Sequence, residues 1–137
     1  LTYKNNLKIK KMKIIKTILC VLFGLMFINA GLDKFFHYMP MPEIKPEEMK
    51  IYEAFGAIVW LMPLIACIEL LGGLLFIFPK TRALGAIVIL PITVGIILHN
   101  AVLMPTTTGL SISGVLFLIN LWMIGDNWHK YKPLFTE

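Results

Sequence analysis

Charged and amide side chains stand inside the long hydrophobic stretches of this sequence, where the residues around them are almost all apolar. Glu69 is the clearest case, because it lies near the middle of such a stretch. A carboxylate in an apolar medium must be protonated, paired with a cation or reached by water. A group of this kind can bind the polar head of a ligand or pass a proton, and it can equally fix helix packing by hydrogen bonding. The residues alone leave both interpretations open.

Polar residues in the other hydrophobic stretches give Glu69 candidate partners. Asn29 and Asp33 are one helical turn apart near the end of the first stretch. His99 lies near the end of the third stretch, and Asn120 lies near the middle of the fourth. If each stretch is a helix, all of them can direct a polar group to a shared interior. We therefore predict a pocket for a proton, a quinone head group or another ligand, formed by Glu69, Asp33, His99, Asn29 and Asn120.

Glycines near these polar residues predict close helix packing. Gly72 and Gly73 follow Glu69 on the same helical face, and Gly95 lies one turn before His99. Small residues let the backbones of membrane helices approach each other. We therefore assign Gly72, Gly73 and Gly95 to helix packing, an arrangement that would direct Glu69 into the interior.

Several kinds of redox and catalytic site lack support in the sequence. A haem held by two histidines needs both of them deep in the membrane, whereas His37 and His129 lie at the ends of hydrophobic stretches. Cys20 and Cys67 form no C-x-x-C motif, and no set of ligands has the spacing of a metal site. No catalytic motif is recognised, so the sequence leaves enzyme activity undecided and names quinone as the one candidate cofactor.

Composition decides the fold class. Hydrophobic residues make up 58% of the 137 residues and charged residues 15%, whereas a soluble domain carries about 25% charged residues. The hydrophobic residues fall into four long blocks, and a block of roughly 20 apolar residues spans a bilayer as a helix. A transmembrane barrel would instead show alternating polar and apolar positions. We therefore predict an all-α membrane protein.

The expected architecture is a four-transmembrane-helix bundle with a short interfacial helix between the first and second spans. Pro46, followed by two acidic residues, is typical of a helix start. The first block is interpreted as a retained helix, since Asn29-Ala30-Gly31 is a poor signal-peptide cleavage site. Met12 is an alternative translation start. One transmembrane domain, 14–128, is predicted between cytoplasmic tails at 1–13 and 129–137. Its spans are expected at about 14–36, 59–78, 83–104 and 110–128, with the interfacial helix at about 46–58.

Lysine and arginine are distributed unequally between the predicted loops. Of the 13 such residues, nine lie in the two tails or the turn at 79–82, and Lys16 lies at the start of the first span beside the N-terminal tail; the remaining three are Lys34, Lys45 and Lys50. Because positively charged loops stay in the cytoplasm, we predict a multi-pass protein of the bacterial cytoplasmic (inner) membrane with both termini cytoplasmic. Lys34 is interpreted as an anchor that extends to the membrane surface. Basic residues beside a span contact lipid head groups, so the lipid bilayer is an expected partner and nucleic acid is not.

The order of short motifs along the chain resembles that of the DoxX-like family of small four-helix membrane proteins. The ending of the first span, Gly31-x-x-Lys34-Phe35, resembles that family's G-x-x-K-F or G-x-x-K-L ending. The second span carries Glu69-x-x-Gly72-Gly73-x-Leu75, which is similar to the family pattern E-x-x-G-G-x-L. Arg82 and His99 are also similar in placement, whereas Pro79 stands where the family often has glycine. The resemblance marks as family positions Gly31, Lys34, Glu69, Gly72, Gly73, Arg82 and His99.

The resemblance implies a role in membrane redox chemistry. Some DoxX-like proteins are subunits of a thiosulfate:quinone oxidoreductase, and others associate with redox or stress-response partners. The expected function is an accessory subunit of a quinone-linked membrane complex, or a packing subunit without catalysis of its own, with other membrane protein subunits as partners. The thiosulfate activity is not carried over, because no residues here specify it. The alternative is a small proton-coupled transporter that uses Glu69, although small multidrug-resistance transporters carry their embedded Glu in the first span.

Overall fold

The computed structural model describes residues 1–136, and over that range it is helical, without strands. Glu137, the last residue of the predicted tail 129–137, lies outside the described residues. The helices in chain order are α1 (Thr2–Phe36), α2 (Pro46–Ala57), α3 (Leu61–Ile77), α4 (Arg82–Leu98), α5 (Thr107–Asp126) and α6 (Trp128–Tyr131). A π-helical segment (His99–Leu103) continues α4, and a 3-10 turn (Lys132–Leu134) follows α6. The predicted all-α fold class is confirmed for these residues.

Three of the helices in the described range are long and apolar enough to cross a membrane. They are α1, α4 with its π-helical continuation, and α5. Together α2 and α3 pass the same test, but they are bent by 83° at the break between them. The chain is therefore a membrane protein with three candidate spans, or up to four if the bent pair counts as one.

The first helix is longer than the span expected at 14–36. It runs for 35 residues from Thr2 and so includes all but the first residue of the lysine-rich segment 1–13, for which the sequence predicts a separate tail. Lysine, leucine and methionine are good helix formers, and no proline or glycine precedes Gly24 to interrupt the helix. The helix ends where His37 adopts a left-handed conformation (φ 50°) and donates its backbone N–H to the carbonyl of Asp33.

A seam of small residues fixes how α1 packs against α3. A Cβ added to Gly73 would lie 2.7 Å from the carbonyl oxygen of Gly24. A Cβ on Gly31 would lie 2.8 Å from the carbonyl oxygen of Ala66. Only residues without side chains allow two backbones to approach this closely. The two contacts define an antiparallel register that brings the end of α1 beside the first half of α3.

The interior next to this seam is filled by aromatic and aliphatic side chains. The ring centroids of Phe23 and Phe76 lie 4.3 Å apart, and those of Phe23 and Phe27 lie 4.9 Å apart. Ile89 of α4 and Met123 of α5 are fully buried against this cluster. The core therefore joins α1, α3, α4 and α5.

Polar contacts close the end of the bundle where α1 enters it. Lys16 of α1 forms an ion pair with Asp126 at the end of α5, with 2.9 Å between Nζ and Oδ2. The buried guanidinium of Arg82 donates to the carbonyls of Phe76 and Ile77, which end α3. These bonds satisfy carbonyl groups that have no partner within the helix.

Candidate functional site

A cavity of about 490 Å³ lies between α3 and α4, with parts of α1 and α2 in its wall. This volume is within the range of small-molecule sites. Most of the lining is apolar and comes from Phe55, Met62, Ile65, Pro91, Ile92 and Ile96. The polar lining groups belong to Lys34, Tyr52, Glu69, His99 and Asn100. The cavity thus combines a largely hydrocarbon wall with a few hydrogen-bonding groups.

An ion pair between Lys34 and Glu69 forms part of the cavity wall. Lys34 Nζ lies 2.8 Å from Glu69 Oε2 and donates a hydrogen bond to it. The Glu69 side chain is buried, while 28% of the Lys34 side-chain surface is exposed. A buried carboxylate with a bonded ammonium satisfies the requirement that a charge inside a membrane be paired. The sequence interpretation of Lys34 as an anchor to the membrane surface is therefore replaced by a role inside the protein.

Helix geometry explains why these two side chains meet. The Cα–Cβ bonds of a helix tilt toward its N-terminus. Lys34 therefore reaches back along α1 toward the bundle interior. Glu69 tilts toward the start of α3, which is the end where the antiparallel α1 finishes. The long lysine stem covers the remaining separation.

His99 and Asn100 reach the cavity from the point where α4 becomes π-helical. His99 is the first residue of that segment, and both side chains are half-buried cavity-lining groups. The Asn100 amide donates to the carbonyl of Ile96 at 2.8 Å. π-Helical turns inside helices often occur at functional sites. Here the widened turn presents two adjacent polar residues to one cavity.

The wall opposite His99 is formed by α2. Its Tyr52 and Phe55 are one turn apart and line the cavity, and the ring centroids of Phe55 and His99 lie 5.9 Å apart. None of the residues of α2 is buried. The predicted interfacial helix therefore contributes directly to the candidate site, a role that the sequence analysis did not assign to it.

Asn29 and Asp33 lie outside the cavity, contrary to the predicted pocket. Asn29 accepts hydrogen bonds from the Tyr38 hydroxyl, at its backbone carbonyl (3.0 Å) and at its side-chain oxygen. Asp33 Oδ1 accepts a 2.7 Å bond from the backbone N–H of Met39. The left-handed residue His37 turns the chain back onto the end of α1, and this turn supplies both partners. Their role is to hold the segment that follows the helix.

Asn120 is buried elsewhere and connects α5 to α4. Its side-chain oxygen accepts a 2.8 Å bond from the Thr93 hydroxyl, and its amide donates to the carbonyl of Ala86 at 2.9 Å. Both groups lie within the packed interface of two helices, so the residue is satisfied without a ligand. The five residues of the predicted polar pocket therefore do not lie together, and only Glu69 and His99 line the cavity.

The three glycines assigned to helix packing have different roles. Gly73 meets the Gly24 backbone, and a Cβ on Gly72 would lie 2.7 Å from the side chain of Ile89. Gly95, in contrast, lines the cavity, and a Cβ there would have nothing within 4 Å. Gly95 therefore packs against no helix and instead leaves space in the cavity.

Over the described residues, these observations define a helical membrane protein with a mostly apolar cavity beside a partly buried ion pair. The family model described as DoxX matches residues 15–104. The chain belongs to the DoxX family, and the resemblance seen in its sequence motifs is confirmed. No curated protein and no solved structure matches the chain.

Five of the seven family-motif positions lie on α1 and α3 near the contact of these two helices, whereas Arg82 caps the far end of α3 and His99 lines the cavity. Gly31 lets α1 approach α3, and Lys34, one turn later, bonds Glu69. Gly72 and Gly73, one turn beyond Glu69, pack α3 against α4 and α1. Within residues 1–136, no group of three His, Cys, Asp or Glu side chains is placed to hold a metal ion.

Proposed function

We propose that this protein is an accessory subunit of a quinone-linked membrane redox complex and that the cavity between α3 and α4 holds the quinone head group. The observation that carries the proposal is the pairing of Lys34 with Glu69 beside a largely apolar cavity that also contains His99. A quinone ring is flat and apolar apart from its oxygen atoms. It therefore needs hydrocarbon contacts and a small number of hydrogen-bond donors.

The donors at the cavity match this requirement. Lys34 and Tyr52 can donate hydrogen bonds, and the imidazole of His99 can donate or accept one. The chain would supply binding and orientation of the ring, while the electrons would come from partner subunits, as the resemblance to DoxX-like proteins implies. A chain that only packs against larger partners is the simpler form of the same proposal.

The same proposal includes a topology. We infer that the bundle has four spans, with α3 completing the second and α2 lying at the membrane interface. The 83° bend between α2 and α3 supports this arrangement. The lysine distribution favours both termini in the cytoplasm of a bacterial inner membrane. Cysteine-scanning of the loops with a membrane-impermeant reagent tests this topology.

The test of function is purification from native membranes in mild detergent, followed by mass spectrometry of bound proteins and quinones. The proposal predicts that the wild-type chain co-purifies with stoichiometric quinone and redox subunits, and that the His99→Leu variant co-purifies without quinone. His129→Leu is the matched control, because His129 is exposed and lies outside the cavity. Wild-type protein that carries neither quinone nor redox subunits would contradict the proposal.

A proton-coupled transporter is the second candidate, and the burial of Glu69 near the middle of α3 favours it. Against it, the cavity reaches Glu69 from the α2 end, while Phe23, Phe27 and Phe76 fill the interior toward the opposite end. The test is uptake of tetraphenylphosphonium into proteoliposomes with an imposed pH gradient. Uptake that depends on the gradient and disappears in Glu69→Gln would favour the transporter.

A further inference from the structure

Gly95 occupies a central position on the cavity face of α4. Pro91 precedes it by one turn and His99 follows it by one turn, and all three line the cavity. A side chain at position 95 would extend into empty space, since a Cβ there has nothing within 4 Å. The helix therefore presents a shallow trough between Pro91 and His99, with Gly95 at its lowest point.

The charges around the cavity favour a neutral ligand. Lys34 and Glu69 are the only lining residues with opposite full charges, and they neutralise each other through their 2.8 Å contact. Among residues 1–136, no other Lys, Arg, Asp or Glu lines the cavity. An anion or a cation placed here would lose its hydration without gaining an unpaired counter-charge.

The exposure of the trough residues bears on how a ligand reaches the cavity. Pro91 and Gly95 are both exposed, although they lie within an apolar helix long enough to span a bilayer. The neighbouring wall is α2, which has no buried residues and contacts the cavity through Tyr52 and Phe55. Glycine at position 95 therefore adds no side-chain volume to the cavity face of α4 between Pro91 and His99.

We propose that Gly95 sets the width of this cavity and that a neutral, lipid-dissolved ligand enters from the bilayer between α2 and α4, over Gly95. The inference rests on the proposed function for the use of the cavity, but it concerns the access route and not the identity of the ligand. A side chain at position 95 would fill the trough while leaving the helix packing intact.

The test measures access to the cavity with chemical probes. Ile65, a lining residue of α3, is replaced by cysteine in a protein that lacks Cys20 and Cys67, and the protein is placed in lipid bilayers. N-ethylmaleimide, a neutral and lipid-soluble reagent, is compared with a trimethylammonium methanethiosulfonate. The inference predicts that Cys at position 65 reacts with the neutral reagent and is protected from the charged one. Gly95→Val should abolish the reaction with the neutral reagent.

Gly114→Val is the matched control, because Gly114 of α5 also has nothing within 4 Å of a Cβ and does not line the cavity. Equal reaction rates in Gly95→Val and Gly114→Val would overturn the inference, as would equally fast reaction with the charged reagent. Thermal stability of both variants, together with the smaller change Gly95→Ala, establishes that the fold is retained. If Gly95→Val blocks the probe but wild-type protein carries no quinone, the access route stands and the proposed function fails.

Discussion

Lys34 and Glu69 come from antiparallel helices and meet because their side chains, each tilted toward the N-terminus of its own helix, tilt toward each other. Their 2.8 Å contact joins the last turns of α1 to the middle of α3. The pair lies at the boundary between the packed interior and the cavity. It is therefore positioned both to stabilise the fold and to contact a ligand.

The first prediction concerns the energetic coupling of this pair. Lys34→Met leaves the buried carboxylate of Glu69 without its partner. Removal of one member of a fully buried pair costs about 3–5 kcal/mol, so this partly buried pair should lose no more than about 3 kcal/mol. Glu69→Leu should cost less, because the lysine is partly exposed and can move its ammonium to the surface. The double variant should be about as stable as the wild type. Unfolding titrations in mixed micelles measure all three, and additive effects would exclude the coupling.

The second prediction concerns the contact between α1 and α3. Gly73→Ala places a methyl group 2.7 Å from the Gly24 carbonyl oxygen, so the two backbones must separate. Overpacking of this kind costs about 1–3 kcal/mol. Gly114→Ala is the control, since a Cβ there meets open space. Thermal unfolding in detergent compares the two, and equal melting temperatures would show that the seam does not limit stability.

The hydrophobic blocks were sufficient to predict the helices, because lipid leaves few alternatives for an apolar segment of that length. The motif Gly31-x-x-Lys34 and its counterpart around Glu69 were also visible, and they identified the family. The pairing of Lys34 with Glu69 was missed, because it depends on the register of α1 against α3. Combining the glycine positions with the tilt of helical side chains provides a signal that would have found it.

The other differences between the predicted pocket and the structure concern polar side chains that hydrogen-bond to nearby groups of the protein instead of lining the cavity. Asn29 and Asp33 are one turn apart near the end of a span, and this pattern fits a pocket and a helix-ending turn equally well. The turn at His37, which the sequence did not predict, decides between them. The role of Gly95 was also not predictable, because a sequence does not distinguish a glycine beside an empty space from a glycine at a close helix contact.

The third prediction separates Asn120 from the candidate site. Asn120→Leu removes its bonds to Thr93 and to the carbonyl of Ala86. Side-chain hydrogen bonds between membrane helices contribute on average about 0.6 kcal/mol each, so the variant should lose about 1 kcal/mol of stability. Quinone binding should be unchanged when it is measured at a temperature where both proteins are folded. A selective loss of binding would place Asn120 at the ligand site after all.

The fourth prediction concerns pH and the segment after α5. The hydroxyl of Tyr131 donates to the Ala83 carbonyl, and burial raises the pKa of Tyr131. The folded state favours the neutral phenol, so this contribution is complete below the usual tyrosine pKa of about 10. It is lost as pH rises through the higher pKa of the folded protein. Tyr131→Phe should be about 1 kcal/mol less stable at neutral pH, and the difference should shrink above about pH 10. A difference that is constant with pH would contradict the assigned hydrogen bond.

Binding of decylubiquinone to the purified chain in lipid nanodiscs tests the central claim most directly. The double variant Lys34→Met/Glu69→Leu removes the ion pair at the cavity, while Lys16→Met/Asp126→Leu removes the ion pair at the other end of the bundle. The proposed site predicts saturable binding by the wild type. The variant Lys34→Met/Glu69→Leu should lose affinity by about tenfold or more, equivalent to about 1.4 kcal/mol. The variant Lys16→Met/Asp126→Leu should bind with unchanged affinity. Equal affinity in both double variants, or the absence of saturable binding by the wild type, would contradict a quinone site beside Lys34 and Glu69.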